Sequence, residues 1–351
     1  MIVLEAAVDL KISREKIPLI RKSVLISLLV LVITSLAIGS SIMLLINEPF
    51  FNCLIYAIPL SVVSSAVLIP SVHTLSEKKK EFLIYESTFS DIIGIMFFNF
   101  VVLQEESIFN LGGLANILFT IVQSVVISYL LVYIFSKFKT GIRIFLILAI
   151  LAILYSIGKK LHLSSLLLIF IFGIVLNNSK VFFFGKLTSY IDHSSIKKLT
   201  KDFHLITAET AFVVRTLFFI AFGMMLDLNQ LTDPTVIIVG SVIVIILYLI
   251  RYLNFKTIIK TNVFPEIFLA PRGLITILLF FQIPVSYEIH SIGMGVLFFV
   301  ILATGLIMMF ALISTKDDKI EDFTVIDFGL GPSSDNANVD KISKFSEYED
   351  L

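Results

Sequence analysis

The sequence has no tryptophan, a single cysteine (Cys53) and little charge: only 15% of its 351 residues are Asp, Glu, Lys or Arg. One cysteine excludes a disulfide framework and any thiolate metal cluster. Soluble domains carry about 25% charged residues, so this composition, with a formal net charge of zero, excludes an ordinary soluble enzyme, a nucleic-acid binder and a disordered chain. His73, His162, His193, His204 and His290 lack metal-ligand spacing. HExxH, a Walker lysine loop and GxGxxG are also missing, and nothing calls for a cofactor. Met1–Leu10 carries Glu5 and Asp9 without a basic leader, so it does not read as a cleavable signal peptide.

What fills the sequence is apolar: 57% hydrophobic residues, with 33 phenylalanines. A bilayer core of about 30 Å needs roughly 20 apolar residues per helix. The runs are long and continuous rather than alternating, which predicts helices and not strands. Spans are expected near 22–46, 51–74, 82–103, 114–136, 143–158, 163–178, 204–227, 234–255, 265–283 and 291–314. The fold class expected is an all-α polytopic membrane protein of about ten transmembrane helices. Basic residues such as Lys78–Lys80, Lys137, Lys139, Lys197, Lys198, Lys256 and Lys260 occupy alternate loops. The positive-inside rule then puts both termini in the cytoplasm, at a plasma or inner membrane.

Three regions follow: a partial helix and basic loop over 1–21, a transmembrane domain over 22–314, and an acidic cytoplasmic tail over 315–351. From residue 316 the tail holds four lysines against ten carboxylates. Residues 1–10 are too short to cross a bilayer, and read as an interfacial segment or as the end of a longer helix. Phe182–Phe184 beside spaced lysines suggest an interfacial helix within 180–203.

Ionisable residues inside a membrane are expensive and mark function by default. In the third span, Glu86 and Ser90 are four apart and share a helix face. Asp91 lies about 140° round from Glu86, at a depth of about 13 Å against about 6 Å for Glu86. An aspartate that deep has too short a stem to reach water. Arg272 lies about 10 Å in from the same side, and pairing it with Glu86 is the economical way to bury it. Glu209 and Arg215 share the seventh span, and Arg215, level with Asp91, could pair with Asp91 or brace Glu209. Proline and glycine interrupt two spans: Pro59, with Ser61, Ser64 and Ser65 beyond it, and Pro271 with Gly273. Interrupted segments in separate halves of a chain point to discontinuous helices flanking a binding site, as in inverted-repeat transporter folds.

Glu86-Ser87-x-x-Ser90-Asp91 followed by Gly94, Arg215 with Phe218, Phe219 and Gly223, and Ala270-Pro271-Arg272-Gly273-Leu274 together resemble the monovalent cation:proton antiporter superfamily, the sodium(potassium)/proton exchangers. The resemblance extends to about residue 314. It implies an antiporter rather than an enzyme, with Asp91 binding either a monovalent cation or a proton. Glu86 and Arg272 would form the structural ion pair beside it. One titrating carboxylate implies one proton per cation and electroneutral exchange, and relatives suggest a homodimer. Ser90, Ser64, Ser65 and carbonyls freed near Pro59 would complete an oxygen shell for a hard cation such as sodium or potassium.

Two departures stand out. Relatives often carry Thr-Asp-Pro at the first break, where this chain reads Val63-Ser64-Ser65. Relatives also have further N-terminal helices, which this chain is expected to lack. Other readings are a sodium-coupled organic-anion symporter of similar architecture and an N-terminally truncated inactive membrane protein. An intramembrane aspartyl protease needs two midplane aspartates, and only Asp91 qualifies.

Overall fold

Apolar runs fold as helices in a bilayer because every backbone N–H and C=O must find its partner within the segment. The computed structural model describes residues 2–10, 16–72, 75–103, 122–133, 143–160, 165–183, 193–225, 227–258, 264–289 and 292–315, and these contain helices and no strand. The helices are α1 (Ile2–Asp9), α2 (Ile17–Ile46), α3 (Phe50–Ser61), α4 (Ser65–Leu68), α5 (Glu77–Leu103), α6 (Val122–Tyr133), α7 (Arg143–Lys160), α8 (Ser165–Asn177), α9 (Ser179–Phe182), α10 (His193–Met224), α11 (Pro234–Ile258), α12 (Leu274–Phe280) and α13 (Met294–Ser314). Among the described residues, five segments are long and apolar enough to cross a membrane: Ile17–Ile46, Phe50–Ser71, Phe203–Met224, Pro234–Thr257 and Met294–Ser314.

The surface is inverted relative to a soluble protein. Leu44, Leu217, Ile245, Met224, Phe310 and Ile313 face outward, while Ser23, Ser27, Thr34 and Ser35 of α2 are buried. Hydrocarbon outside favours the apolar exterior; of the buried hydroxyls, those of Ser27 and Ser35 bond to backbone carbonyls, while Ser23 Oγ and Thr34 Oγ1 have no partner among the described residues. Ser27 donates to the carbonyls of Ser23 at 2.7 Å and Glu86 at 2.8 Å, tying α2 to α5. Pro18 sits in the first turn of α2, where its missing N–H goes unneeded. Asn47, in the left-handed conformation with φ 60°, ends α2 by donating to the Met43 carbonyl, and Pro49 opens α3. The chain thereby doubles back tightly. A Cβ on Gly39 would stand 3.3 Å from the Leu54 backbone, so α2 and α3 are in close approach.

Several boundaries differ from expectation. α7 runs through Gly158-Lys159-Lys160, where a break was expected. α10 already begins at His193, so the mixed stretch before the seventh span is partly helical and continuous with it. The span expected over 265–283 is a turn at 264–268, extended backbone over 269–273 and the short α12. Residues 114–121 and 134–136 of the fourth span, and the acidic stretch 316–351, lie outside the described residues.

The first broken helix comprises α3, extended residues 62–64 and α4. Pro59 was expected to mark the break, but α3 continues to Ser61. Pro59 still shapes it: it cannot donate to the Ile55 carbonyl, while its own carbonyl accepts from Val62 N–H at 3.3 Å and closes the last turn. The two extended stretches meet where Ser64 N–H donates to the Pro271 carbonyl at 2.9 Å.

Candidate ion-binding site

Where two helices break inside the protein, their last carbonyls and first N–H groups lose intrahelical partners and must find others. The side chains meeting those groups build the site. Arg272 takes the carbonyl end of α3: Nε donates to Leu60 O at 2.8 Å and Nη2 to Ser61 O at 3.3 Å. Nη1 turns back to Ala270 O at 2.5 Å. Its own N–H donates to Thr304 Oγ1 at 3.2 Å, fixing the stretch against α13. A guanidinium fork suits paired carbonyls, and a cation at a helix C-terminus is electrostatically favoured.

Asp91, on α5, faces the other side of the break. Its Oδ2 accepts from Ser65 N–H at 3.1 Å and from Ser65 Oγ at 2.5 Å. Among the described residues neither its Oδ1 nor Ser64 Oγ has a partner, although Asp91 is 6% exposed and Ser64 0%. Ser90 Oγ accepts from Val63 N–H at 3.0 Å and so holds the extended stretch 62–64 in place. Gly273 allows the breaks to approach: a Cβ there would stand 2.7 Å from Ser64 Oγ and 2.9 Å from Val67 Cγ2. Gly94 does the same from α5, since a Cβ would collide with Val62.

The expected Glu86–Arg272 ion pair is not formed. Glu86 is held instead by Arg251 of α11, at 2.7 Å (Nη1–Oε1) and 3.0 Å (Nη2–Oε2). Arg251 also donates to the carbonyls of Glu266 at 3.3 Å and Leu269 at 3.2 Å, and its guanidinium lies 4.4 Å from the Phe255 ring centroid. The reason is demand: the orphan carbonyls of α3 claim the Arg272 fork, while Arg251 meets Glu86 across the α5–α11 gap. Lys79 pairs with Glu266 at 2.8 Å, both buried. Among the described residues, Glu86 and Glu266 thus have cationic partners, and Asp91 is the buried carboxylate without an ion pair.

Arg215 pairs with neither Asp91 nor Glu209. Its Nη2 donates to Glu5 Oε2 at 2.7 Å and its Nη1 to Ala66 O at 3.3 Å. Glu209 is exposed on α10. Sequence reasoning passed over Arg251, Lys79, Glu266 and Glu5. Arg251 carried a usable signal, a lone charge within the apolar run 234–255. Lys79 was masked by Lys78 and Lys80, which made the trio look like a solvated basic loop.

Asp91 Oδ1 and Ser64 Oγ are buried oxygens with unused capacity. An ionised carboxylate out of water is costly unless a counter-charge or a proton neutralises it. The arrangement can therefore hold one proton or one small cation.

A family model described as sodium/hydrogen exchanger, transmembrane, matches residues 1–265. That match includes the first break and Asp91, and ends before Pro271, Arg272 and Gly273. The fold is similar to the structure of the sodium proton antiporter MjNhaP1 from Methanocaldococcus jannaschii at pH 8. The TM-score is 0.63 and the identity 19%, over 89% of this chain and 83% of that one. No curated protein sequence matches the chain.

Proposed function

We propose, from the premise that the chain belongs to the sodium/hydrogen exchanger family and is an integral membrane cation/proton antiporter rather than an enzyme, that exchange runs through competition at Asp91. A sodium or potassium ion and a proton take turns neutralising this carboxylate. One observation carries the reading: a buried carboxylate with one oxygen tied to Ser65 and the other without a partner. Asp91 Oδ1 and Ser64 Oγ face the cation. Ser65 and Ser90 position the carboxylate and the extended stretch 62–64, and Arg272 keeps the carbonyl end of α3 occupied. Glu86 is structural, with Arg251 as its partner. A bare Asp91 would be expensive in either orientation of the protein, so reorientation proceeds only with the site filled. One carboxylate that exchanges one proton for one monovalent cation makes the cycle electroneutral.

We further propose that both termini are cytoplasmic, from the alternation of basic loops, that 22–314 is the transporting domain flanked by 1–21 and 315–351, and that the chain works as a homodimer, from the family resemblance. The test is dequenching of a pH-sensitive dye in inverted vesicles on addition of sodium or potassium. Wild type gives cation-dependent proton flux, and Asp91→Asn inserts normally and gives none. Full flux from Asp91→Asn refutes the assignment. No flux from well-inserted wild type favours the inactive-scaffold reading.

A further inference from the structure

The described helices sort into two packed groups. In one, α1, α7, α8 and α10 share a core that includes Leu4, Val8, Ile150, Phe172 and Phe203. In the other, α2 packs on α3, α5 and α11, α11 packs on α13, and the two breaks lie inside. Between the groups, much of the contact is apolar: Tyr85 and Ile92 of α5 cluster with Phe170 of α8. Phe222 of α10 stacks on Phe298 of α13, with centroids 4.1 Å apart and rings 12° from parallel. Such contacts have little direction.

Arg215 is different, because its bonds are directional. From α10 it reaches Glu5 of α1 within its own group and the carbonyl of Ala66 in α4 across the divide. Ala66 directly follows Ser65, whose N–H and hydroxyl hold Asp91 Oδ2. Any displacement of one group against the other must either drag the α4 end of the break or release this bond. The bond to Glu5 engages Nη2 alone and leaves the other donors of Arg215 to find acceptors, and among the described residues Nε finds none. The second arm, aimed at a backbone carbonyl one residue from the carboxylate's ligand, is what ties the groups together.

We infer that Arg215 is a positioning residue for the exchange cycle, holding the α1–α10 face to the broken helix beside Asp91 and thereby stabilising one of the two access states; this rests on the alternating-access reading above. Weakening the tie shifts the population toward the other state. Apparent affinity scales with the fraction of molecules competent to bind on a given side. The half-saturating cation concentrations on the two faces must then move in opposite directions.

The experiment measures cation-driven proton flux in right-side-out and inverted vesicles, with sodium and potassium as probes, for wild type, Arg215→Gln, Arg215→Lys and Glu5→Gln. The expected result for Arg215→Gln is opposite displacement on the two faces, changing their ratio by about fivefold or more. Arg215→Lys, which keeps the charge but replaces the two-armed fork with a single nitrogen, shifts less in the same sense, and Glu5→Gln follows that sense. If Arg215→Gln does not fold, the Lys and Glu5 variants decide by the same ratio. Equal displacement on both faces overturns the inference, because Arg215 would then act on the ion site itself. Lower maximal flux at an unchanged ratio also overturns it, since that marks a purely structural role. No cation-driven flux in wild type removes the exchange reading and this inference with it.

Discussion

Replacing Arg251 with Gln removes the partner of a carboxylate whose side chain is 1% exposed. Breaking a buried pair from one side costs about 3–5 kcal/mol, chiefly because the remaining charge is stranded. Leu269 O and Glu266 O also lose their donor, so part of the damage falls on the backbone leading into the second break. Neutralising both partners, Glu86→Gln with Arg251→Gln, removes the stranded charge. The double variant is therefore expected to be more stable than Arg251→Gln alone. The assay is equilibrium unfolding in mixed lipid–detergent micelles, arranged as two double-mutant cycles, Glu86 with Arg251 and Glu86 with Arg272. Coupling in the first is expected at about 1–3 kcal/mol, the upper range for residues in contact, and clearly smaller in the second. Equal or larger coupling between Glu86 and Arg272 would refute the pairing and restore the one expected from sequence.

Two further predictions concern the break itself. Gly273→Ala places a methyl against Ser64 Oγ and Val67; overpacking costs about 1–3 kcal/mol, so the cation concentration for half-maximal flux should rise about tenfold, and an unchanged value would show that the breaks have slack. Ser65→Ala deletes the 2.5 Å bond to Asp91 Oδ2 and leaves the 3.1 Å backbone bond. A hydrogen bond to a charged group is worth about 1.5–3 kcal/mol, and the pH dependence of exchange should move to higher pH, because the ionised carboxylate has lost a donor; an unmoved profile in the same vesicle assay contradicts this role.

The membrane class and the two interruptions were legible because long apolar runs and mid-span prolines have few alternative explanations. Asp91 stood out because no stem of that length reaches water from mid-span. Partnership was harder to read. Depth along a helix follows from residue count, but which helix stands opposite depends on packing, so Glu86 was matched to Arg272 on depth and on the family resemblance. Arg272 was in fact committed to Leu60 and Ser61, a demand that arises only once α3 stops at Ser61. Lys79 could not be separated from Lys78 and Lys80 without knowing which face of α5 meets Glu266. Ser90 and Ser65 were both expected to bind the ion; the hydrogen bonds of Ser90 to the Val63 N–H and of Ser65 to Asp91 were not foreseen. A hydroxyl's role depends on the nearest unpaired group, and sequence spacing does not reveal that.

The proposed competition means that cation and proton exclude one another at Asp91. The most direct measurement follows proton release when sodium or potassium is added to purified protein in weakly buffered detergent solution with a pH indicator. Competition at Asp91 predicts saturable release approaching one proton per cation bound, absent in Asp91→Asn. Cation binding without proton release, or release that persists in Asp91→Asn, would contradict it.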